Sequence, residues 1–225
     1  MYEEWSSRVR GAVVWRRDAD GSDARAVLPD GCMDLLWSEG RLLVAGPDTR
    51  PYVPEGPARR WAGLRLHPGA APALLGVPAH ELLNRRVDLS DLWPAAEVRG
   101  LRDRVDAAEE PTTALEEIAL ERAPAPDPAL RHLVAALGAG RPVAAVAAEL
   151  SIGARQLHRR CLHAFGYGPK TLARILRLQH ALALARSGLP LAETATLAGY
   201  ADQPHLTRDV RELAGTTPGG LLRVG

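Results

Sequence analysis

The sequence predicts an α+β chain in two unlike parts. An N-terminal antiparallel β-barrel or sandwich-like sheet with trailing helices is followed by an all-α region, two helix-turn-helix units joined by a linker helix. Three observations predict this. First, the C-terminal part says nearly the same thing twice: "LHRRCLHAFGYGPKTL" (157–172) aligns with "LTRDVRELAGTTPGGL" (206–221) at an offset of 49, and "VAAVAAEL" from Val143 aligns with "LAETATLA" from Leu191 at 48. A fixed internal period marks a repeated supersecondary unit. Second, residues 8–66 hold short runs rich in Val, Leu and Trp, each bounded by Gly, Pro or Asp, as strands at regular spacing are. Third, the net charge of +1 is uneven. Residues 141–225 carry eleven Lys and Arg against five Asp and Glu, a net +6, which leaves seventeen against twenty-two, or −5, for residues 1–140.

At 225 residues the chain is long enough for one or two domains, and 46% hydrophobic content is ample for packed cores. Two cysteines, Cys32 and Cys161, fall in different halves, which supports neither a disulfide framework nor a CxxC zinc site. With no apolar run at the N-terminus and none of eighteen residues elsewhere, a cytoplasmic protein that avoids membranes is expected.

In chain order, "VRGAVVWRR", "ARAVLPDG", "MDLLWSEG", "RLLVAGP" and "RWAGLRLHPG" read as strands. After His67 the pattern turns helical, with "APALLG", "PAHELLN", then "WPAAEVRGLRDRVDAA" and "TTALEEIALERA" as an antiparallel helix pair broken at "EEP". The proline-rich "APAPDP" (123–128) is stiff and cannot continue a helix. It divides the chain into domains 1–125 and 126–225, with a helix over 128–138 opening the second.

Each repeat then reads as a short helix, a tight turn, a longer helix and a Gly-x-x-Pro stop. In the first, Val146, Ala147, Leu150, Ile152, Leu157 and Cys161 share one apolar face. In the second, Ala195 takes the place of Ala147, Gly199 frees the turn, and Tyr200 fills the wedge held by Ile152. Asp202 is placed as an N-cap and Pro204 lies in the first turn, where a missing donor costs nothing. Residues 169–186 read as one helix of eighteen residues, roughly 27 Å long at about 1.5 Å per residue. A strut of that length suits two reading helices about one DNA turn (~34 Å) apart.

The outward faces of the two longer helices suit a DNA major groove. Arg155, His158 and Arg159 share one face of the first, and Gln203, Thr207 and Arg208 one face of the second. Arg grips guanine O6 and N7 with two hydrogen bonds and Gln does the same for adenine. Arg174, Arg177 and Arg186 on the linker are expected to be solvated or near phosphates, and Arg160 and Arg211 to face solvent or pair with acids.

With these residues in view, the C-terminal hundred residues resemble the tandem helix-turn-helix domain of the AraC/XylS family of transcription regulators. The strings that carry the resemblance are "AAELSIGARQLHRRCLHAFGYGPK", "ILRLQHALALARSG" and above all "LAETATLAGYADQPHLTRDVRELAGTTPGGLLR". It implies base-edge or groove contacts from the six residues just named and phosphate contacts near Ser151, Lys170 and Thr171. The chain departs from the family pattern at Cys161, Leu172 and Pro204. "LPDGCMDLLW", "VAGPDT" and "GLRLHPGAAPALLGVPAHEL" also resemble the uncharacterised domain that precedes such units in many bacterial regulators. That implies a sensory or regulatory module.

The expectation is thus a sequence-specific, non-enzymatic regulator without a cofactor. Its partners are double-stranded DNA and, as further candidates, RNA polymerase, a small-molecule effector and a second copy of the chain. The alternative is an enzyme fused to a DNA-binding module. Against it, Cys32 lies between Asp30 and Asp34, an environment that opposes a thiolate. His67 has no histidine before it to complete a metal site, and Asp48 reads as a turn former. The tryptophans are expected mainly in the core, with a pocket wall as the rival role.

Overall fold

The computed structural model describes residues 1–18, 26–54 and 60–223. Strands β1 (Tyr2–Ser6), β2 (Val13–Arg17), β3 (Met33–Ser38), β4 (Arg41–Ala45), β5 (Trp61–Leu66) and β6 (Arg86–Asp88) form one antiparallel sheet in the order β1-β2-β5-β3-β4-β6. The expected antiparallel sheet is present, and its form is an open sheet with β1 and β6 at the edges. Two differences from the expected strands stand out. The run "ARAVLPDG", whose first two residues lie outside the described ones, contributes one isolated bridge, Val27 to Tyr52. Strands β1 and β6 carry no such signal, one being acidic and exposed and the other three residues long.

Register explains the core. Val14 pairs with Leu64, Leu64 with Leu35, Leu35 with Val44, and Val44 with Val87, so one apolar row crosses five strands on a single face. Successive side chains alternate between faces, and this row is buried throughout. On the opposite face Gly63 lies beneath Trp15, where an added Cβ would sit 2.2 Å from the indole. Helices α1 (Ala71–Leu75), α2 (Ala95–Ala107) and α3 (Pro111–Arg122) cover the apolar row, and Leu115, Ile118 and Ala119 of α3 are fully buried against it. A 3₁₀ turn at Ala79–Leu82 follows α1. Trp37 and Trp93 pack on this core and donate to Asp106 and to the Leu75 carbonyl.

Glu116 of α3 pins the β1–β2 connection by accepting from Ser7 Oγ (2.6 Å), the Arg8 amide (2.7 Å) and Arg8 Nε (3.1 Å). Burial pushes its carboxyl up, but these donors outweigh it and hold the pKa below the ordinary range. A folded-state pKa below the unfolded one contributes stability above the unfolded value, and that contribution is lost as pH falls through the folded one. Glu116→Gln is therefore expected to cost about 1–2 kcal/mol near neutrality. In denaturant titrations its stability should meet the wild type's only in acid; an equal gap at every pH would refute this.

The remaining chain is helical: α4 (Pro128–Gly138), α5 (Val143–Glu149), α6 (Ala154–Phe165), α7 (Pro169–Arg186), α8 (Leu191–Leu197), α9 (Gln203–Ala214) and α10 (Pro218–Arg223). Leu133, Val146, Leu157, Leu172, Ile175, Leu178, Ala195 and Leu206 share a second core, separate from that of the sheet. The two halves meet at the carboxyl end of α6. An added Cβ at Gly69 would lie 2.8 Å from Phe165, and one at Gly166 would lie 2.7 Å from Pro47 and 3.2 Å from the Ala79 carbonyl. Gln179 of α7 donates to the Pro29 carbonyl at 2.6 Å, and Leu28 and Leu83 pack onto the helical core.

Candidate nucleic-acid interface

The two repeats fold alike, down to single backbone contacts. In each, the amide after the turn donates to a small residue of the shorter helix: Ile152 to Ala147 at 3.1 Å, Tyr200 to Ala195 at 2.8 Å. Ala147 and Ala195 are buried, as close crossing of the helices requires. The turns use the left-handed conformation at equivalent places, Gly199 with φ 79° and Ser151 with φ 53°. Both longer helices end on a left-handed glycine, Gly166 or Gly215, whose amide caps the last turn, and the next helix starts at Pro169 or Pro218. Asp202 caps α9 by accepting from the His205 amide at 2.6 Å, and the His205 ring packs edge-on against Tyr200.

A serine held at positive φ costs roughly 1 kcal/mol relative to glycine. Ser151→Gly is thus expected to raise the stability of the helical half by about that amount, read in urea melts followed by far-UV ellipticity. A loss of stability would refute the strain.

On the outer surface Arg155, His158 and Arg159 of α6 and Gln203 and Arg208 of α9 are exposed, and Thr207 is half-buried. Ser151 and Lys170 are exposed and Thr171 half-buried. Among the described residues none of these nine side chains has a hydrogen-bond or ion-pair partner. His158 lies over Gly168, where an added Cβ would come within 2.8 Å of the ring, so the α6 face adjoins the start of α7 that bears Lys170 and Thr171.

Other cations are committed inside the protein. Arg160 pairs with Asp127, the α4 cap, at 2.5 Å. Burial pushes the Asp127 carboxyl up, yet Arg160 and the Ala129 amide more than offset it and hold the pKa low. The expectation of solvated or phosphate-near charges fails for Arg174 and Arg177. Arg174 reaches Asp209 at 2.5 Å and also pairs with Glu212. Arg177 lies 3.7 Å from Asp209 with its guanidinium over the Tyr200 ring at 4.5 Å. Tyr200 donates to Asp209 at 3.1 Å, and burial followed by the Asp209 charge raises its hydroxyl pKa. Asp209, itself buried, therefore ties α9 to α7. One signal for it lay in the sequence: an acid three residues after Leu206, on the stripe that also holds Val210 and Leu213.

The N-terminal candidates resolve as structural. The Cys32 amide donates to Asp30 at 2.8 Å, and burial, then Asp30 and Asp34, push its thiol pKa well up, against nucleophilic use. Asp48 is more than a turn residue, since it holds Arg86 with two hydrogen bonds of 2.6 and 3.0 Å. His67 contacts the Pro68 carbonyl through Nδ1 at 3.0 Å. Among the described residues no three His, Cys, Asp or Glu side chains gather as a metal site would need, and no helix is long and apolar enough to cross a membrane.

Residues 146–223 match the family model of a helix-turn-helix domain, and residues 10–88 match one described as a domain of unknown function. Among solved structures, an apo ToxT variant from Vibrio cholerae is similar over 97% of this chain and 99% of its own, at 12% identity and a TM-score of 0.51, which bears on the fold alone. The C-terminal domain of AraT, a response regulator from Geobacillus stearothermophilus, is 22% identical over 44% of this chain and 87% of its own, with a TM-score of 0.40. A probable AraC family regulator from Rhodopseudomonas palustris is 27% identical over 43% of this chain and 96% of its own, with a TM-score of 0.37. No curated protein matches. Residues 146–223 are thus a helix-turn-helix domain, the kind of module the repeated units described above form.

Proposed function

We propose that α6 and α9 enter successive major grooves on one side of the duplex and read sequence there. Arg155, His158, Arg159, Gln203, Thr207 and Arg208 face base edges or groove walls, while Ser151, Lys170 and Thr171 hold phosphates. The observation that supports this most is the pair Arg159 and Arg208. They stand at equivalent positions of the two repeats, exposed and without partners among the described residues, in a domain where Arg160, Arg174 and Arg177 are all engaged. Unpaired guanidiniums on a groove-sized helix suit bidentate recognition of guanine.

Selection from a random duplex pool, followed by titration of the winner and a scrambled duplex at several salt concentrations, tests the proposal. Arg208→Ala is expected to cost about 1–3 kcal/mol of discrimination at one or two positions, whereas Lys170→Ala weakens every duplex alike and shallows the salt slope by about one. Equal losses on all sequences for Arg208→Ala would remove it from the base-reading set.

We place the domain division near residue 125, between the two separate cores, and read residues 1–125 as the regulatory domain that senses a small molecule or dimerises. RNA polymerase and a second copy of the chain belong to the same proposal as further partners. The seating of α6 on the loops of the first domain supports control of DNA binding from that side.

A further inference from the structure

One loop of the sheet domain reaches the glycine stops of both helices proposed to read DNA. An added Cβ at Gly166, after α6, would lie 2.7 Å from Pro47, and one at Gly215, after α9, would lie 3.3 Å from Pro51. The loop can span at most about 14 Å from Pro47 to Pro51. It is held fast from within its own domain. Asp48 accepts two hydrogen bonds from Arg86 at 2.6 and 3.0 Å, and the Thr49 amide and hydroxyl donate to Asn84 at 2.9 and 3.2 Å. Tyr52 exchanges backbone hydrogen bonds with Val27, and the Arg86 guanidinium lies 4.0 Å from the centre of its ring.

Arg50 is the exception. Alone among the polar side chains of residues 46–52 it has no hydrogen-bond, ion-pair or ring partner among the described residues, and it is exposed. With Asp48 matched by Arg86, the loop presents one positive charge, although residues 1–140 carry a net −5. The second repeat lacks a side chain where the first is proposed to hold phosphates. At the offset of 49, Lys170 and Thr171 correspond to Gly219 and Gly220. Pro51 approaches Gly215, shortly before those glycines, and so brings its neighbour Arg50 to that side of the second unit. We propose that Arg50 holds a backbone phosphate beside the stretch of DNA read by α9, doing for the second unit what Lys170 does for the first. The sheet domain is then part of the DNA-binding surface. The inference rests on the proposed reading of α6, α9 and Lys170. A phosphate contact carries no sequence information and fixes position; made from a domain docked on a helix end, it ties the grip on DNA to that docking.

The test uses the full chain and its selected and scrambled duplexes, titrated between about 50 and 200 mM salt. Arg50→Ala is expected to weaken both duplexes alike and to shallow the salt slope by about one, so the wild type's advantage shrinks about 3.5-fold across that range. Arg50→Lys should keep the slope, since a phosphate can be held by a point charge as well as by a fork. Arg50 is exposed and unpartnered, so the urea midpoints of all three proteins should coincide. Ethylation of single phosphates locates the contact. At one phosphate flanking the α9 half of the site, ethylation should weaken the wild type and make no difference to Arg50→Ala. An unchanged slope in Arg50→Ala, a slope lost equally in Arg50→Lys, or an ethylation pattern identical to the wild type's overturns the inference. Lys170→Ala, measured alongside, keeps the two readings apart. A slope that responds to Lys170→Ala but not to Arg50→Ala upholds the proposed interface and refutes this contact, whereas a slope that responds to neither refutes the interface itself.

Discussion

Replacing Asp209 with alanine is expected to cost about 3 kcal/mol, in the range measured when one member of a buried charge pair is removed. The carboxylate is 4% exposed and answers three groups at once: Arg174 and Arg177 from the linker helix and the Tyr200 hydroxyl from the turn of the second unit. Truncation leaves Arg177, whose Nε is already buried without a hydrogen-bond partner among the described residues, facing a cavity. Spectroscopy localises the damage, because all five tryptophans lie at or before Trp93. Tryptophan fluorescence therefore reports the sheet domain, while far-UV ellipticity is dominated by the helices. In Asp209→Ala the ellipticity transition should move to lower urea ahead of the fluorescence transition. Arg174→Ala keeps Arg177 and Tyr200 on the acid and should cost less. A shift below about 1 kcal/mol for Asp209→Ala would mean that the network adds little beyond the packing around it.

Gly46→Ala is expected to act from the other side, and at least as strongly. A Cβ there would stand 1.7 Å from the Leu82 carbonyl oxygen and 2.6 Å from its carbon, so main chain, not a flexible side chain, would have to yield. Overpacking of cores costs about 1–3 kcal/mol and more where nothing can move aside, which sets the expectation at about 3 kcal/mol or above. Gly46 also donates to the Arg85 carbonyl at 2.9 Å, and its neighbour Pro47 is the surface on which Gly166 rests. Displacement at Gly46 therefore reaches α6. The fluorescence transition should now lead the ellipticity transition, the reverse of Asp209→Ala. A variant within about 0.5 kcal/mol of wild type, the usual range for harmless surface changes, would show that the 79–82 turn shifts freely.

The helical half was legible because its rules are local. Apolar spacing, glycine stops and prolines at first turns placed the linker helix at 169–186 and the start of α4 at 128, where they are found. What escaped was long-range or short. Asp209 meets Arg174 across 35 residues, and charged side chains on a linker read as solvated until their partner is known. The turn strain at Ser151 was hidden because serine, unlike Gly199, does not advertise a positive φ. In the sheet, β6 alternates over three residues only, too few to mark a strand, and β1 is exposed along nearly its whole length and lacks a half-buried alternation. The run around Val27 did show strand-forming residues, yet it makes a lone bridge, since propensity alone does not supply a pairing partner. Of the proposed DNA face, the sequence shows residue types at helical spacing; which arginines remain unpaired among the described residues shows only in the fold.

The seating of Phe165 and Gly166 against Gly69, Pro47 and Ala79 gives the two helices proposed to read DNA different evolutionary latitude. On the proposed reading the first serves two masters, nucleotides at its amino end and a foreign domain at its carboxyl end, so drift in target preference is confined to its opening turns. Among the described residues the second has no comparable seating on the helices or strands of that domain, and Pro51 approaches the glycine after its last turn. In chimaeras between such regulators, residues 188–223 should therefore transplant with little loss, whereas a graft of 143–168 would have to bring its own matching docking loops.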